Sequence, residues 1–319
     1  MRPIPHGTPE ALLSGEFAFL ERLRRALPEP PAGQVGVGDD CAVLDGGLLF
    51  ATDVLTEGVH FDLGWSTAAD VGWKALAVNL SDLAAMGGSP RAAVCAVVLG
   101  AGRKGEADEL AAGLMAAAAE LGCPLVGGDT TVGSALTVSV AVIGDSPAGG
   151  AVLRSGARPG DSIFVTGPLG GSKAALAALR RGEEPDPVGL ARLQRPVPRL
   201  VEGRTAAAAG ATAMIDLSDG LSSDLAHLCR ASAVGARLEA SALPVGPGAA
   251  VDDALSGGDD YELCFTAPDA ERVGEAFAAA GLHLPAPIGT VITGAEVVLA
   301  TPGGGTWPVA PGGWEHRVE

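Results

Sequence analysis

The chain reads as an α/β protein of the α+β type built from two domains, and three observations predict it. Its 319 residues suit two domains of ordinary size, each able to bury its own core. Hydrophobic residues make up 47% and charged residues 18%, the balance of a folded protein and not of a disordered chain. Short apolar runs bounded by glycine alternate with alanine-rich helical stretches on both sides of a Ser/Pro/Gly-rich stretch, Gly144 to Gly150, which reads as a linker. The expected division is therefore 1–145 and 150–319.

Taken in order, the first 30 or so residues carry Leu12, Phe17, Leu20, Leu23 and Leu27 at helical intervals, ahead of a break at Pro28, Pro30 and Pro31. Ala42 to Leu44 and Leu48 to Asp53 read as strands joined at Gly46-Gly47, and Asp70 to Met86 as a helix stopped by Gly87-Gly88. Ala92 to Leu99 and Leu136 to Ile143 are expected strands, with an alanine-rich helix from Glu106 to Leu121 between them. After the linker the pattern gives a strand at Ser162 to Thr166, a Gly-rich turn and a helix from about Ser172. Leu190 to Ala209 and Leu221 to Ser232 read as helices, and Tyr261 to Thr266 and Val297 to Leu299 as strands.

The formal net charge of −17 argues against nonspecific nucleic-acid binding, which needs a basic footprint. No apolar run reaches the roughly 18 residues of a membrane span. The opening Met-Arg-Pro-Ile-Pro-His has no apolar signal region, and Cys41, Cys95, Cys123, Cys229 and Cys264 are scattered with no C-x-x-C pair. The expectation is a cytoplasmic protein with reduced cysteines packed as small core residues.

Six acidic patches, nearly all beside glycine, carry the chemistry, and their Gly-Asp pairs read as turns beside strands. They are Gly36 to Asp40, Thr52-Asp53, Asn79 to Asp82, Gly127 to Thr131, Asp216 to Gly220 and Gly257 to Tyr261. Several stand in apolar surroundings, where an unpaired carboxylate costs several kcal/mol, and too few Lys and Arg lie nearby to pair them all. Divalent cations shared with phosphate groups are the economical partner. Asp82 falls in a helix with almost no other polar face, which favours a ligand role. Thr52 and Asp53 point to opposite faces of a strand, so Thr52 would serve through its carbonyl or after a local bend. His60 and Arg154 are candidates by neighbourhood, and Gly167-Pro-Leu-Gly-Gly171 before a helix could offer amides to phosphate. No G-x-x-x-x-G-K-[ST] loop, protein-kinase motif set, G-x-S-x-G elbow, H-E-x-x-H or EF-hand spacing is present.

Together the patches resemble the thiamine-monophosphate kinase family, within the aminoimidazole-ribonucleotide-synthetase-like ATP-binding superfamily. The matching stretches run in order: Gly36 to Ala42, Thr52 to Phe61, Lys74 to Gly87, Gly127 to Thr131, Arg154 to Asp161, Arg195 to Arg199, Ile215 to Leu221, Ser256 to Leu263 and Gly313 to His316. The resemblance implies transfer of the ATP γ-phosphate to thiamine monophosphate, several Mg²⁺ ions, and a homodimer. It also implies two α/β domains, the first with a mixed sheet joined into a barrel across the dimer and the second an α/β sandwich. Carried over by position, Asp40, Thr52, Asp53, Asp82, Asp129, Asp216 and Asp219 would hold magnesium. Gly128, Asp129, Arg154 and Ser218 would contact ATP, and His60, Asp259 and Trp314 the thiamine phosphate. Whether Asp39 or Asp40 is the direct ligand stays open, and Asp259 stands where the family usually has glutamate.

The acceptor implied is a phosphate monoester with a second pKa of about 6, so much of it is dianionic at neutral pH and no general base is required. No catalytic side chain beyond those holding metal and phosphates is expected. The rival readings are another ATP-dependent enzyme of the superfamily and a non-catalytic divalent-metal protein.

Overall fold

The computed structural model describes residues 22–100 and 102–313. Most of the expected N-terminal helix, Trp314 and His316 lie outside the described residues; 22–26 are helical.

Two mixed sheets form the framework. The first contains β1 (Ala42–Leu44), β2 (Leu48–Thr56), β3 (Ser89–Gly100), β4 (Leu125–Gly133) and β5 (Thr137–Asp145), in the order β1-β2-β5-β3-β4. Only β3 and β4 pair in parallel. The second has seven strands in the order β12-β11-β8-β10-β6-β9-β7. These are β6 (Ser162–Val165), β7 (Ala213–Asp216), β8 (Gly235–Glu239), β9 (Leu263–Ala267), β10 (Ala286–Ile292), β11 (Val297–Ala300) and β12 (Thr306–Pro308).

The first sheet packs on α1 (Ala68–Ala85), which is buried on every side. Thr67 starts this helix: its hydroxyl accepts from Asp70 N at 3.1 Å, while Asp70 Oδ2 accepts from Thr67 N at 2.9 Å. Helix α2 (Lys104–Glu120) crosses α1 at a glycine contact, where a Cβ on Gly113 would lie 1.9 Å from Ala69 O. Alternation along β2, β3 and β5 turns Leu49, Ala51, Leu55, Ala93, Cys95, Val138, Val140 and Val142 toward α1. The opposite face leaves Phe50, Val54 and Val94 exposed.

The same alternation splits the second sheet between two cores. Phe164, Met214, Leu263 and Phe265 join the core around α1, so the two sheets share packing. Ile163, Val165, Ile215, Cys264, Ala236 and Leu238 face the other way, under Leu221, Leu225 and Leu228 of α6 (Leu221–Ser232). The remaining helices are α3 (Gly171–Arg180), α4 (Pro187–Gln194), α5 (Leu200–Ala209), α7 (Val251–Ser256) and α8 (Ala270–Ala279). All five cysteines are buried thiols.

Three sequence expectations are corrected. Leu190 to Ala209 is not one helix, because Pro196 and Pro198 separate α4 from α5. Gly127 to Thr131 is not a turn but the middle of β4; its parallel neighbour comes so close that a Cβ on Gly128 would sit 1.9 Å from Cys95 O. The amides before α3 are spent internally, with Leu169 N donating to Pro244 O at 2.7 Å and Gly170 N to Asp260 Oδ2 at 2.8 Å. A phosphate cradle there is not supported.

The segment between α4 and α5 ties the two sheets together. Trp73 Nε1 of α1 donates to Pro196 O at 2.8 Å, and Arg195 pairs with Asp70. Arg199 makes two bonds to Glu262, at 2.8 and 2.7 Å, while Arg192 reaches the same carboxylate at 3.2 Å and Thr166 Oγ1 donates to it at 2.6 Å. Glu262 is fully buried. Glu262→Ala should therefore cost about 3 kcal/mol, by taking the shared partner from two half-buried guanidinium groups and from the Thr166 hydroxyl, read as a lower urea midpoint.

Candidate active site

Five of the six acidic patches meet where the two sheets face each other. Asp82 comes from the last turns of α1, Asp53 from β2, Asp216 from the end of β7, and Asp40 from the turn before β1. Oxygens of Asp40, Asp82 and Asp216 all lie within 4.8 Å of one another. Burial pushes Asp53 up to about 6, with the Asp40 charge adding to the effect. It pushes Asp216 up to about 8, again helped by Asp40 and opposed by the Ser81 hydroxyl. Asp82 is driven well above the ordinary carboxylate range by burial and then by Asp53, Asp216 and Asp40. The surface that Asp82 exposes lines a cleft.

Neighbouring side chains hold these carboxylates in place. Asn79 Oδ1 accepts from Asp53 N at 2.9 Å, and Asn79 Nδ2 donates back to Ala75 O at 2.9 Å. Ser81 Oγ donates to Asp216 Oδ2 at 2.6 Å. Arg154 Nη2 pairs with Asp40 Oδ1 at 2.6 Å. Asp39 instead accepts from Arg154 N at 3.1 Å and closes the turn, so Asp40 is the carboxylate that reaches the group.

Two buried polar atoms here have no partner among the described residues, Asp40 Oδ2 and Arg154 Nε. An orphan acceptor beside three crowded carboxylates fits a hard divalent cation. Oxygens around one octahedral Mg²⁺ stand about 3 Å apart when adjacent and about 4 Å when opposite, so small shifts would close the group on an ion. The orphan guanidinium N–H fits a phosphate oxygen.

A cleft of about 570 Å³ opens from this cluster. One stripe of α1 forms its wall: Val71, Lys74, Val78 and Asp82 all line it, at the spacing of a single helix face. Opposite lie Ser218, Asp219 and Asp259, brought together because two loops are zipped side by side. Asp259 N donates to Ser218 O at 2.8 Å, Tyr261 N to Leu217 O at 2.9 Å, and Leu217 N to Glu262 O at 2.8 Å. The cost is a left-handed backbone at two non-glycine residues, Asp259 (φ 63°) and Tyr261 (φ 48°).

At the far end, His60 Nδ1 accepts from Thr56 N at 3.0 Å, which places the ring proton on Nε2. Asp259 Oδ1 takes Lys74 Nζ at 2.9 Å and the Tyr261 hydroxyl at 3.1 Å. Trp65, Phe61, Leu176 and Leu193 give this end an apolar lining.

Asp40, Asp53, Asp82, Asp216, Asp219, Arg154, Ser218, His60 and Asp259 thus line or border one site. Thr52 and Asp129 do not join it. Thr52 is on the exposed face of β2 and its hydroxyl donates to Val140 O at 2.9 Å. Asp129 and Gly128 are exposed on the edge strand β4, three strands from β2, or about 14 Å at ordinary strand spacing. Lys74 was given no role in the sequence reading, although a lysine in an otherwise apolar helix was its own signal.

Family models for the AIR synthase related protein match at residues 38–145 for the N-terminal domain and 158–301 for the C-terminal domain. Thiamine-monophosphate kinase of Salmonella typhimurium is 44% identical over 276 residues, spanning 81% of this chain and 84% of its own length. The chain belongs to the thiamine-monophosphate kinase family. The Mycobacterium tuberculosis member is 40% identical over 80% of this chain and 81% of its own. Among solved structures, one described as AaThiL complexed with AMPPCP and TMP superposes with a TM-score of 0.84 at 33% identity, covering 95% of this chain and 97% of that one. The Stenotrophomonas maltophilia kinase gives 0.74 at 36% identity, covering 90% and 96%. Hydrogenase maturation protein HypE, at 23% identity and a TM-score of 0.73, shares the fold over 96% of this chain and 97% of its own. The family thus carries the two-domain mixed α/β fold expected from sequence.

Proposed function

We propose that this protein phosphorylates thiamine monophosphate with ATP, giving ADP and thiamine diphosphate by direct in-line transfer. The observation that carries the reading is one cleft in which carboxylates from both sheets crowd together without enough cations, in a chain whose structural relative was solved with AMPPCP and TMP. Asp40, Asp53, Asp82 and Asp216 would hold magnesium, with Asp219 beside them. Bound magnesium supplies positive charge to a polyphosphate and to the transferring group. Arg154 offers its unpaired Nε to an ATP phosphate, and Ser218 lies within the same cleft. His60, with its proton on Nε2, is a donor for the thiamine phosphate, and the family resemblance assigns Asp259 and Trp314 to the same substrate. The acceptor arrives as a nucleophilic dianion, so the site's work is to bring two anions together and exclude water.

A homodimer is part of the proposal. Phe50 and Val54 of β2 and Val94 of β3, 44–50% exposed, leave an apolar patch on the face of the first sheet turned away from α1. Thr52 and Asp129 share that face by register, and Gly128 is next to Asp129 on the edge strand, so their assigned roles would depend on the assembled dimer. The division at 145 and 150, with ATP binding and dimerisation in the first unit, is proposed on the same grounds. No described helix is long and apolar enough to cross a membrane, and the cytoplasm is the proposed location.

A coupled ADP assay decides the function. ADP release should require both thiamine monophosphate and Mg²⁺; release indifferent to thiamine monophosphate would favour another ATP-dependent reaction of the superfamily.

A further inference from the structure

The mechanism above leaves one buried cation without a task. Lys74 is 3% exposed, on a helix whose other cleft-lining residues are Val71, Val78 and Asp82. Its ammonium has three N–H donors, and among the described residues Asp259 is its partner, at 2.9 Å. It nevertheless lines the cleft.

The carboxylate it meets is heavily engaged. Asp259 Oδ1 takes both Lys74 Nζ and the Tyr261 hydroxyl, and its main chain is fixed by Asp259 N to Ser218 O and by Ser172 Oγ to Asp259 O, each 2.8 Å. A carboxylate so occupied is a poor primary contact for a ligand. An ammonium held at one corner, with donors to spare among the described residues and lining the cleft, is a good one for an anion.

Position agrees. Lys74 and Asp82 are eight residues apart on one helix, or about 12 Å of axial rise. Tyr261, bonded to Asp259, still feels the charges of Asp53 and Asp216. Lys74 and Asp259 line the cleft together with His60, whereas Arg154 and Asp40 are not among the residues that line it.

We propose that Lys74 binds the phosphate of the acceptor substrate, with Asp259 acting as the positioning residue that holds the ammonium in the cleft. The inference rests on the proposed phosphorylation of thiamine monophosphate and adds the group that recognises its phosphate. It assigns Asp259 an indirect part: the carboxylate sets where the lysine points, and the lysine meets the substrate. In this arrangement Lys74 discriminates between the phosphorylated and unphosphorylated forms of the same ligand.

The test compares binding of thiamine monophosphate and of thiamine, by calorimetry, to wild type and three variants. Lys74→Met should weaken thiamine monophosphate about ten- to a hundredfold, the usual range for a charge-assisted hydrogen bond, and thiamine by less than about threefold. Asp259→Asn keeps the ammonium and should preserve the preference for the phosphorylated ligand. The double variant Lys74→Met/Asp259→Asn removes both charges, avoids a stranded buried carboxylate, and should lose the preference even if Lys74→Met alone folds poorly. A preference that survives in the double variant overturns the assignment, as does equal weakening of both ligands by Lys74→Met, which would make the pair a structural tie between α1 and the Asp259 loop. Wild-type protein that bound neither ligand would defeat the functional reading, and this inference with it.

Discussion

Asp82→Asn is expected to lower turnover by about a hundred- to a thousandfold while making the metal-free protein more stable. The two effects have opposite signs for one reason. Asp82 sits where burial and the charges of Asp53, Asp216 and Asp40 all oppose its ionisation, so in the absence of a cation the native state carries a penalty at neutral pH. Asparagine has nearly the same shape and no charge, and it removes that penalty. It also removes one of the three carboxylates that crowd together, and losing one preorganised electrostatic contact in a reacting site typically costs about 10²–10³ in rate. Asp53→Asn should behave in the same way, with a smaller stabilisation because burial and Asp40 push Asp53 only to about 6. The measurements are a coupled ADP assay at saturating Mg²⁺ and thermal melts in EDTA. A variant that lost activity and stability together would place Asp82 in the scaffold; one with near-normal turnover would remove it from the site.

Much of this site could be read from the chain because its carboxylates stand in the wrong company. Asp82 in an apolar helix and Asp216 after Ala213-Met214-Ile215 announce a desolvated charge before any coordinates are known, and the structure sets both beside Asp40, Asp216 buried and Asp82 half-buried. What stayed hidden depends on partners distant in sequence. Gly127 to Thr131 looks like a turn because paired glycines disfavour strands, yet β4 needs Gly128 where Cys95 O approaches. β8 and β10 were passed over: they are strands by virtue of lying between neighbours, and β10 carries Gly289 because a Cβ there would meet Arg237 O at 2.2 Å. Lys74 lay unassigned because its meaning comes from Asp259, which only the zipped loops after β7 and before β9 bring to it. The break at Pro196 and Pro198 is a different matter: its signal was local and was outweighed by the alanine run that follows.

Magnesium should raise the melting temperature of the protein by more at pH 8 than at pH 5.5, the difference being on the order of 5 °C. Burial raises the folded-state pKa of Asp53 to about 6 and of Asp216 to about 8, both from 3.8, and that of Asp82 well upward. A carboxyl group whose folded pKa lies above its unfolded value stabilises the native state fully below the unfolded pKa, and that stabilisation is lost as pH rises through the folded pKa. The metal-free protein should thus lose stability between about pH 4 and pH 8 on account of these groups. Coordinating carboxylates must be deprotonated, so a cation gains purchase over the same interval and offsets the penalty where it is largest. Asp216→Asn should flatten the slope in EDTA and reduce the magnesium increment at pH 8, because it deletes a carboxyl group whose pKa burial has pushed up to about 8. Melts across pH 5 to 8 in EDTA and in excess Mg²⁺ read all of this at once. A melting temperature that climbs with pH in EDTA, or a magnesium increment equal at both ends, would mean that these carboxylates are already paired within the folded chain and do not await an ion.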